Sequence, residues 1–271
     1  MTPPRRPHSF DEPFGWWGPV WSSPAPHPIG DLIADGVLTA ECAALLWALL
    51  ERRASIVVAA GPSGAGKTTL LTALLDFLPS GTRRIYVRGC YEPFDFLGAT
   101  DPATSALLVN ELSPHLPIYL WGPGVRRVLA AVGEGYQLAA TAHATSVDEF
   151  VYGLAGYPLR VPAAEIAEID VLVLLDAWMD GRGVRREVRS VVNLALGSEP
   201  GSLAPVVVAE REGRGGLLAV DVAAAQAVFG RLGGNPGAMA DEIERRAARF
   251  RELEEVESVS PCAGCPTDGA P

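Results

Sequence analysis

The sequence predicts an α/β fold with a twisted, mostly parallel sheet and helices on both of its faces. Three observations support this prediction. Short apolar runs rich in β-branched residues, which indicate buried strands, alternate with stretches of helical spacing. One such run, residues 55–60, enters a helix through a glycine-rich loop. Residues 184–194 alternate polar and apolar side chains after a turn at residues 180–183, which predicts a C-terminal β-hairpin followed by helices.

The strands are predicted from apolar runs, and the helices from apolar side chains that recur every three or four positions. Thr39 and Asp221 are suited to N-cap positions, and Pro162 suits a first turn. The predicted strands cover residues 55–60, 84–87, 106–109, 138–142, 170–177, 184–194, 205–209 and 216–220. The predicted helices cover residues 30–53 (with a break at Asp35-Gly36), 70–78, 125–132, 147–154, 162–168, 222–229 and 236–253.

Composition divides the chain into three parts: a leader over residues 1–29, an α/β domain over residues 30–257 and a flexible tail over residues 258–271. The leader is rich in proline but carries Trp16, Trp17 and Trp21, and packing of these rings on the domain is favoured over binding of a partner. The tail contains Cys262 and Cys265. A single C-x-x-C is half of a zinc site, so a disordered tail is favoured over a metal or redox role.

The glycine-rich loop is a complete G-x-x-x-x-G-K-[ST] phosphate-binding motif. It comprises Gly61, Pro62, Ser63, Gly64, Ala65, Gly66, Lys67 and Thr68, with Thr69 next. Its glycines let the backbone curl around an anion, and the helix N-terminus adds partial positive charge. Lys67, the only lysine of the chain, is expected to reach the β- and γ-phosphates, and the Thr68 hydroxyl to bind Mg²⁺. The motif predicts ATP and Mg²⁺ as cofactors.

Two further residues are candidates for catalysis because each follows an apolar strand. Glu111 ends the third strand, where ligands bind in such sheets, and is expected to orient Mg²⁺ or to polarise the attacking water. His143 ends the fourth strand and is either a γ-phosphate sensor or a structural residue. His115 stands in a loop between prolines and is given little weight.

The net charge of −10 argues against binding to a nucleic-acid backbone. No apolar run is long enough to span a bilayer, so direct membrane insertion is not expected. The first residues lack an apolar signal core, which predicts a cytoplasmic protein.

The order of these motifs resembles that of the secretion ATPases that drive type II secretion, type IV pili, archaeal flagella-like filaments and type IV secretion. Residues 32–79 are similar to the family's helix–strand–loop–helix, and LLVNEL, residues 107–112, to its second motif, which ends in glutamate and maps onto Glu111. Residues 135–154 resemble the histidine box, whose final histidine maps onto His143. Residues 234–256 resemble the closing helix of the archaeal-type and tight-adherence branches. The resemblance implies a RecA-like P-loop NTPase, a hexameric ring and coupling of ATP hydrolysis to a membrane platform protein.

The chain also departs from this family. The family's acidic box falls on Gly89 and Cys90, with Glu92 the nearest acid, and the first histidine of the histidine box aligns with Tyr136. The usual N-terminal domain is replaced by the short leader. A degenerate paralogue that binds nucleotide as a regulatory or assembly component, with little hydrolysis, is therefore the alternative function.

The family's arginines, which reach a neighbour's nucleotide, have no counterpart before Arg126, because no Lys or Arg lies between Arg88 and Arg126. Arg126, Arg127 and Arg160 are the candidates for this role, and spacing does not select among them.

Overall fold

The computed structural model of the 271-residue chain describes residues 10–11, 28–61, 63–181 and 183–259, with side chains up to residue 252. The sequence predictions for Pro62, for the tryptophans of the leader and for Cys262 and Cys265 lie outside the described residues.

The described residues contain the predicted strands and helices with small shifts at their ends. The strands are β1 (Ile56–Ala59), β2 (Arg83–Val87), β3 (Ser105–Leu112), β4 (Gln137–Ala142), β5 (Val171–Met179), β6 (Val184–Asn193), β7 (Val206–Arg211) and β8 (Leu218–Val220). The helices are α1 (Ile29–Ala34), α2 (Ala40–Leu50), α3 (Lys67–Leu74), α4 (Pro123–Gly133), α5 (Val147–Ala155), α6 (Ala163–Ala167), α7 (Val222–Arg231) and α8 (Met239–Val259).

Within the described part of the chain, one eight-stranded sheet has the order β2-β3-β4-β1-β5-β6-β7-β8. The strands from β2 to β5 in this order pair in parallel, and β6, β7 and β8 continue the sheet antiparallel. The predicted α/β class and the hairpin are therefore confirmed, with a larger antiparallel part than a single hairpin. Because β1 lies between β4 and β5, the loop that follows it leaves the middle of the sheet.

Helices cover both faces of the sheet, as predicted. The side chains of β1 alternate: Ile56 and Val58 belong to one buried cluster, and Val57 and Ala59 to the other. The first cluster is completed by α1, α2, α3, α7 and α8, and the second by α4, α5 and α6. All four residues of β1 are buried, which accounts for its continuous apolar run.

Helix α2 is buried over more of its circumference than its leucine stripe indicates. Trp47, which lies off that stripe, stacks on Phe77 with ring centroids 5.2 Å apart, and the Arg246 guanidinium lies 4.6 Å from the Trp47 ring centroid. Arg246 belongs to α8, which packs against α2. The periodicity of apolar residues in α2 does not predict this contact with α8, because the two helices are distant in sequence.

A partly buried carboxyl group at the start of β5 makes stability depend on pH. Asp170 Oδ2 accepts a hydrogen bond from the Ser55 amide (2.8 Å), and its backbone oxygen accepts one from Asn193 Nδ2 (2.6 Å). Burial raises the pKa of Asp170 to about 6 from an ordinary 3.8. The folded chain thus holds a proton that the unfolded chain releases, and stability is lost as pH rises from about 4 through about 6.

Replacing Asp170 by asparagine should remove this pH dependence, because the amide keeps an oxygen for the Ser55 amide and does not ionise. The free energy of unfolding of Asp170→Asn relative to the original chain should rise by up to about 3 kcal/mol between about pH 4 and 7, at about 1.4 kcal/mol per pKa unit. Urea unfolding at a series of pH values measures this difference. Parallel stability curves for the two chains would contradict the assignment.

Candidate functional site

The phosphate-binding loop connects β1 to α3 at the carboxyl edge of the parallel strands. Gly64 (φ +77°) and Gly66 (φ +91°) adopt left-handed backbone conformations, which glycine tolerates without steric cost. Gly66 is the N-cap of α3, and Lys67 is its first residue. The loop thus ends on a helix N-terminus, where backbone N–H groups and the helix dipole favour an anion.

A cavity of about 670 Å³ opens beside the loop, and residues 63–69 all line it. Its volume falls within the range of small-molecule sites. Asn110, Glu111 and Tyr119 line the side toward β3. Leu32 and Val37, near α1, add apolar surface to the lining. The cavity therefore has both polar and apolar lining residues, as small-molecule sites generally do.

Lys67, predicted from the loop motif, lies together in the structure with Glu111 and His143, predicted from two strand ends. Lys67 Nζ is 3.8 Å from Glu111 Oε2, and His143 Nδ1 is 3.8 Å from Glu111 Oε1. Both Lys67 and Glu111 are buried. Both separations exceed hydrogen-bond distances, so the three groups are close to one another but are not joined by hydrogen bonds.

A β-bulge positions Glu111. The register between β3 and β4 shifts between Val109 and Leu112, so one extra residue of β3 is accommodated there. The Thr141 hydroxyl donates to the Asn110 carbonyl beside the bulge. Bulges of this kind redirect a side chain, and here the redirected stretch carries the acid toward Lys67.

A second histidine, which its sequence context does not single out, lies beside His143. The His115 and His143 ring centroids are 4.0 Å apart, and Ser113 Oγ lies 2.7 Å from His115 Nδ1. The loop after β3 folds back on the strand, with the Leu120 amide donating to the Glu111 carbonyl (3.1 Å), and this brings His115 over His143. The pKa of His143 is lowered by burial and then by His115 and Lys67, against an opposing effect of Glu111 and Glu149. The lowered pKa favours the neutral form of the His143 ring.

The positions that depart from the resembling family have structural roles here. The Glu92 carboxylate accepts hydrogen bonds from the backbone amides of Arg88 and Phe94 (2.8 Å each) and does not line the cavity. A Cβ on Gly89 would lie 2.0 Å from the Ile118 carbonyl oxygen, so this position accepts only glycine without backbone movement. Glu92 thus closes the loop after β2 instead of serving the site.

Tyr136 precedes β4 and lies at the opposite end of that strand from His143. Its hydroxyl is 2.9 Å from Thr100 Oγ1, and its ring packs edge-on against Phe96. It is a core residue with no contact to the loop.

None of the three arginines named as candidates for contact with a neighbour's nucleotide lines this chain's own cavity in the described structure, and their role between subunits stays a prediction. Arg126 is exposed on α4. Arg127 lies 4.6 Å from the Phe94 ring centroid, and Arg160 lies 5.8 Å from the Tyr157 ring centroid.

Two arginines that the sequence assigned to an ordinary strand surface do line the cavity. Arg185 and Arg186 belong to β6, and Arg186 Nε donates a hydrogen bond to the Gly64 carbonyl (3.0 Å). No local signal indicates this contact, because it depends on β5 pairing with β1.

Among the described residues, no three His, Cys, Asp or Glu side chains gather into a metal-binding group. No helix in the described part of the chain has both the length and the apolar character that crossing a membrane requires.

No protein-family model matches the chain, and neither does any curated protein. Among solved structures, the chain is similar to the VirB11 ATPase of the Brucella suis type IV secretion system, determined in complex with sulphate. The identity is 21% and the TM-score 0.40, over 55% of this chain and 50% of that one. It is also similar to the ATPase DotB of Legionella pneumophila, with 15% identity and a TM-score of 0.35, over 83% of this chain and 64% of that one. Each match spans less than two thirds of the other protein's chain, and at this level the likeness does not assign the chain to a family.

Proposed function

We propose that the chain is an ATP-binding and ATP-hydrolysing subunit of a type II/IV secretion or type IV pilus-like machine, built on a RecA-like domain over residues 30–257. One observation carries the proposal: the phosphate-binding loop and Glu111 line one cavity of nucleotide size, and His143 lies beside Glu111. The motif order from the loop to the histidine box supports the choice of machine. A hexameric ring and a membrane platform partner follow from the same motif resemblance.

The donor set of the site fits a nucleotide with Mg²⁺. Lys67 and the backbone amides of the loop are cationic and N–H donors suited to phosphate oxygens. The Thr68 hydroxyl and the Glu111 carboxylate are hard oxygen ligands of the kind that Mg²⁺ prefers, directly or through water. When bound, Mg²⁺ neutralises charge on the phosphates.

Lys67, Glu111 and His143 have different roles in hydrolysis, and each role follows from the charge of the side chain. Lys67, 3.8 Å from Glu111, exchanges this carboxylate for phosphate oxygens when a nucleotide enters. Glu111, thus released, accepts a proton from the attacking water. His143, whose neutral form is favoured by its lowered pKa, donates a hydrogen bond toward the γ-phosphate.

A nucleotide-binding subunit with little hydrolysis is the second candidate function. It is favoured by the binding of Glu92 to two backbone amides, because the acid nearest the family's acidic box is then not free to act as a base. This candidate uses the same loop and cavity for ATP binding and differs only in turnover.

Steady-state ATP hydrolysis by the purified chain across a protein concentration series, with ATP binding measured in parallel by calorimetry, tests the proposal. We expect turnover per subunit to rise with protein concentration, because a catalytic site that is completed by a neighbouring subunit exists only in the assembled ring. Binding without turnover at every concentration would select the second candidate. Absence of ATP binding would overturn both.

A further inference from the structure

We infer that Arg186 supplies, from within the same chain, a cation that binds the nucleotide phosphates. The inference rests on the proposed function and adds a residue that the motifs do not include. This role differs from the one considered for Arg126, Arg127 and Arg160, which is contact with a neighbour's nucleotide.

The strand lengths place Arg186 above the loop. Ala59, the last residue of β1, pairs with Leu174 of β5, yet β5 continues to Met179. Five further residues at about 3.3 Å each extend β5 and its partner β6 well past the edge where β1 ends. Arg186, which pairs with Ala177, lies on this overhanging ribbon.

The arginine contacts the loop itself. Its Nε donates to the Gly64 carbonyl at 3.0 Å, and its Cδ lies 3.0 Å from the position of a Cβ on Gly66. Gly64 and Gly66 flank the turn of backbone that would surround a phosphate. The guanidinium is thus adjacent to the anion site, and the glycine at position 66 leaves the space that its side chain occupies.

The ribbon that carries Arg186 is held in place on both sides. The ladder between β5 and β6 continues to its last pair, Met179 and Val184, beside the turn. The Val188 amide donates to the Val37 carbonyl (2.7 Å), and the Arg211 guanidinium donates to the carbonyls of Val188 and Val37. A residue on such an element is presented more precisely than one on a loop.

The charge of Arg186 is not balanced by a carboxylate within the described structure. Its neighbour Arg185 pairs with Asp180, whereas no described Asp or Glu lies within ion-pair distance of Arg186. No hydrogen bond joins its Nη atoms to a described residue, so these atoms are available to phosphate oxygens. Because Glu111 offsets part of the charge of Lys67 in the same cavity, a second cation there would strengthen the binding of a triphosphate.

The variant Arg186→Gln separates charge from structure. A glutamine amide can still donate to the Gly64 carbonyl but carries no charge. We expect ATP to bind about 10- to 100-fold more weakly to Arg186→Gln, the range for a charge-assisted hydrogen bond, and Arg186→Lys to recover part of the loss. Arg245→Ala, which removes an exposed arginine of α8 remote from the cavity, is the matched control and should bind as the original chain does.

Calorimetry measures the affinities, and hydrogen exchange of residues 184–188 with and without ATP gives a second readout. In the original chain ATP should slow exchange there, and in Arg186→Gln it should not. If Lys67→Ala loses ATP while Arg186→Gln binds ATP as tightly as the original chain does, Arg186 holds only the loop carbonyl and the inference is wrong, whereas the proposed function stands. If the original chain binds no ATP, the proposed function fails together with the inference.

Discussion

Replacing Lys67 by alanine should weaken ATP binding by at least about 100-fold. The ammonium group is buried, lies on the first turn of α3 and lines the cavity. A charge-assisted hydrogen bond to phosphate contributes about 1.5–3 kcal/mol, and the motif places Lys67 on two phosphates. The loss is increased by Glu111, because without Lys67 an uncompensated carboxylate faces the incoming phosphates.

This second contribution can be measured separately. In the double variant Lys67→Ala/Glu111→Gln the repelling charge is absent, so ATP affinity should be partly restored relative to Lys67→Ala. Calorimetry on the original chain, the two single variants and the double variant completes the cycle. Thermal unfolding of each chain checks that the buried Glu111, once unpaired, has not unfolded the protein. Unchanged ATP affinity in Lys67→Ala would refute both candidate functions.

The parts of the site that the sequence predicts are those specified over short stretches. The phosphate-binding motif is continuous in sequence, so the residues that shape the loop and those predicted to bind phosphate are neighbours. Glu111 and His143 were predicted because each follows an apolar strand, and parallel strands end at a common edge. The structure brings Lys67, Glu111 and His143 together at that edge, and their catalytic roles remain predictions.

The parts that the sequence does not predict depend on contacts between distant segments. Arg186 contacts the loop because β5 pairs with β1 and extends beyond its end. The spacing of hydrophobic residues does not predict the order of strands in the sheet. His115 reaches His143 because the loop after β3 folds back on the strand. The Glu92 carboxylate accepts hydrogen bonds from two backbone amides instead of serving the site, and the spacing of residues in the sequence does not predict these contacts.

Replacing Glu111 by glutamine should lower ATP turnover by about 10²–10⁴-fold, the usual contribution of a general base, without weakening ATP binding. The glutamine keeps the size of the side chain and an oxygen, so Lys67 and His143 keep a polar neighbour. It removes a negative charge 3.8 Å from Lys67, and ATP affinity should therefore stay equal or increase. Steady-state hydrolysis and calorimetry on the same preparation give the two quantities.

Glu92→Gln is the matched control, because Glu92 is the other acid that the sequence offers as a base. The Glu92 carboxylate accepts hydrogen bonds from the Arg88 and Phe94 amides. Its replacement should therefore alter the loop after β2 and leave ATP turnover within about threefold of that of the original chain. A larger loss in Glu92→Gln than in Glu111→Gln would transfer the role of base to the acidic-box position.

The two variants together also decide between the candidate functions. Turnover that is present in the original chain and lost only in Glu111→Gln means that a single acid suffices for hydrolysis. This acid is positioned near the phosphate-binding loop by the bulge of β3. Hydrolysis would then not require acids at the positions of Gly89 and Cys90, where the resembling family has them. Turnover that is equally low in all three chains, with ATP bound tightly by each, means that Glu111 only balances Lys67. In that case the site serves to sense a bound nucleotide, because its binding residues are complete and its base is not.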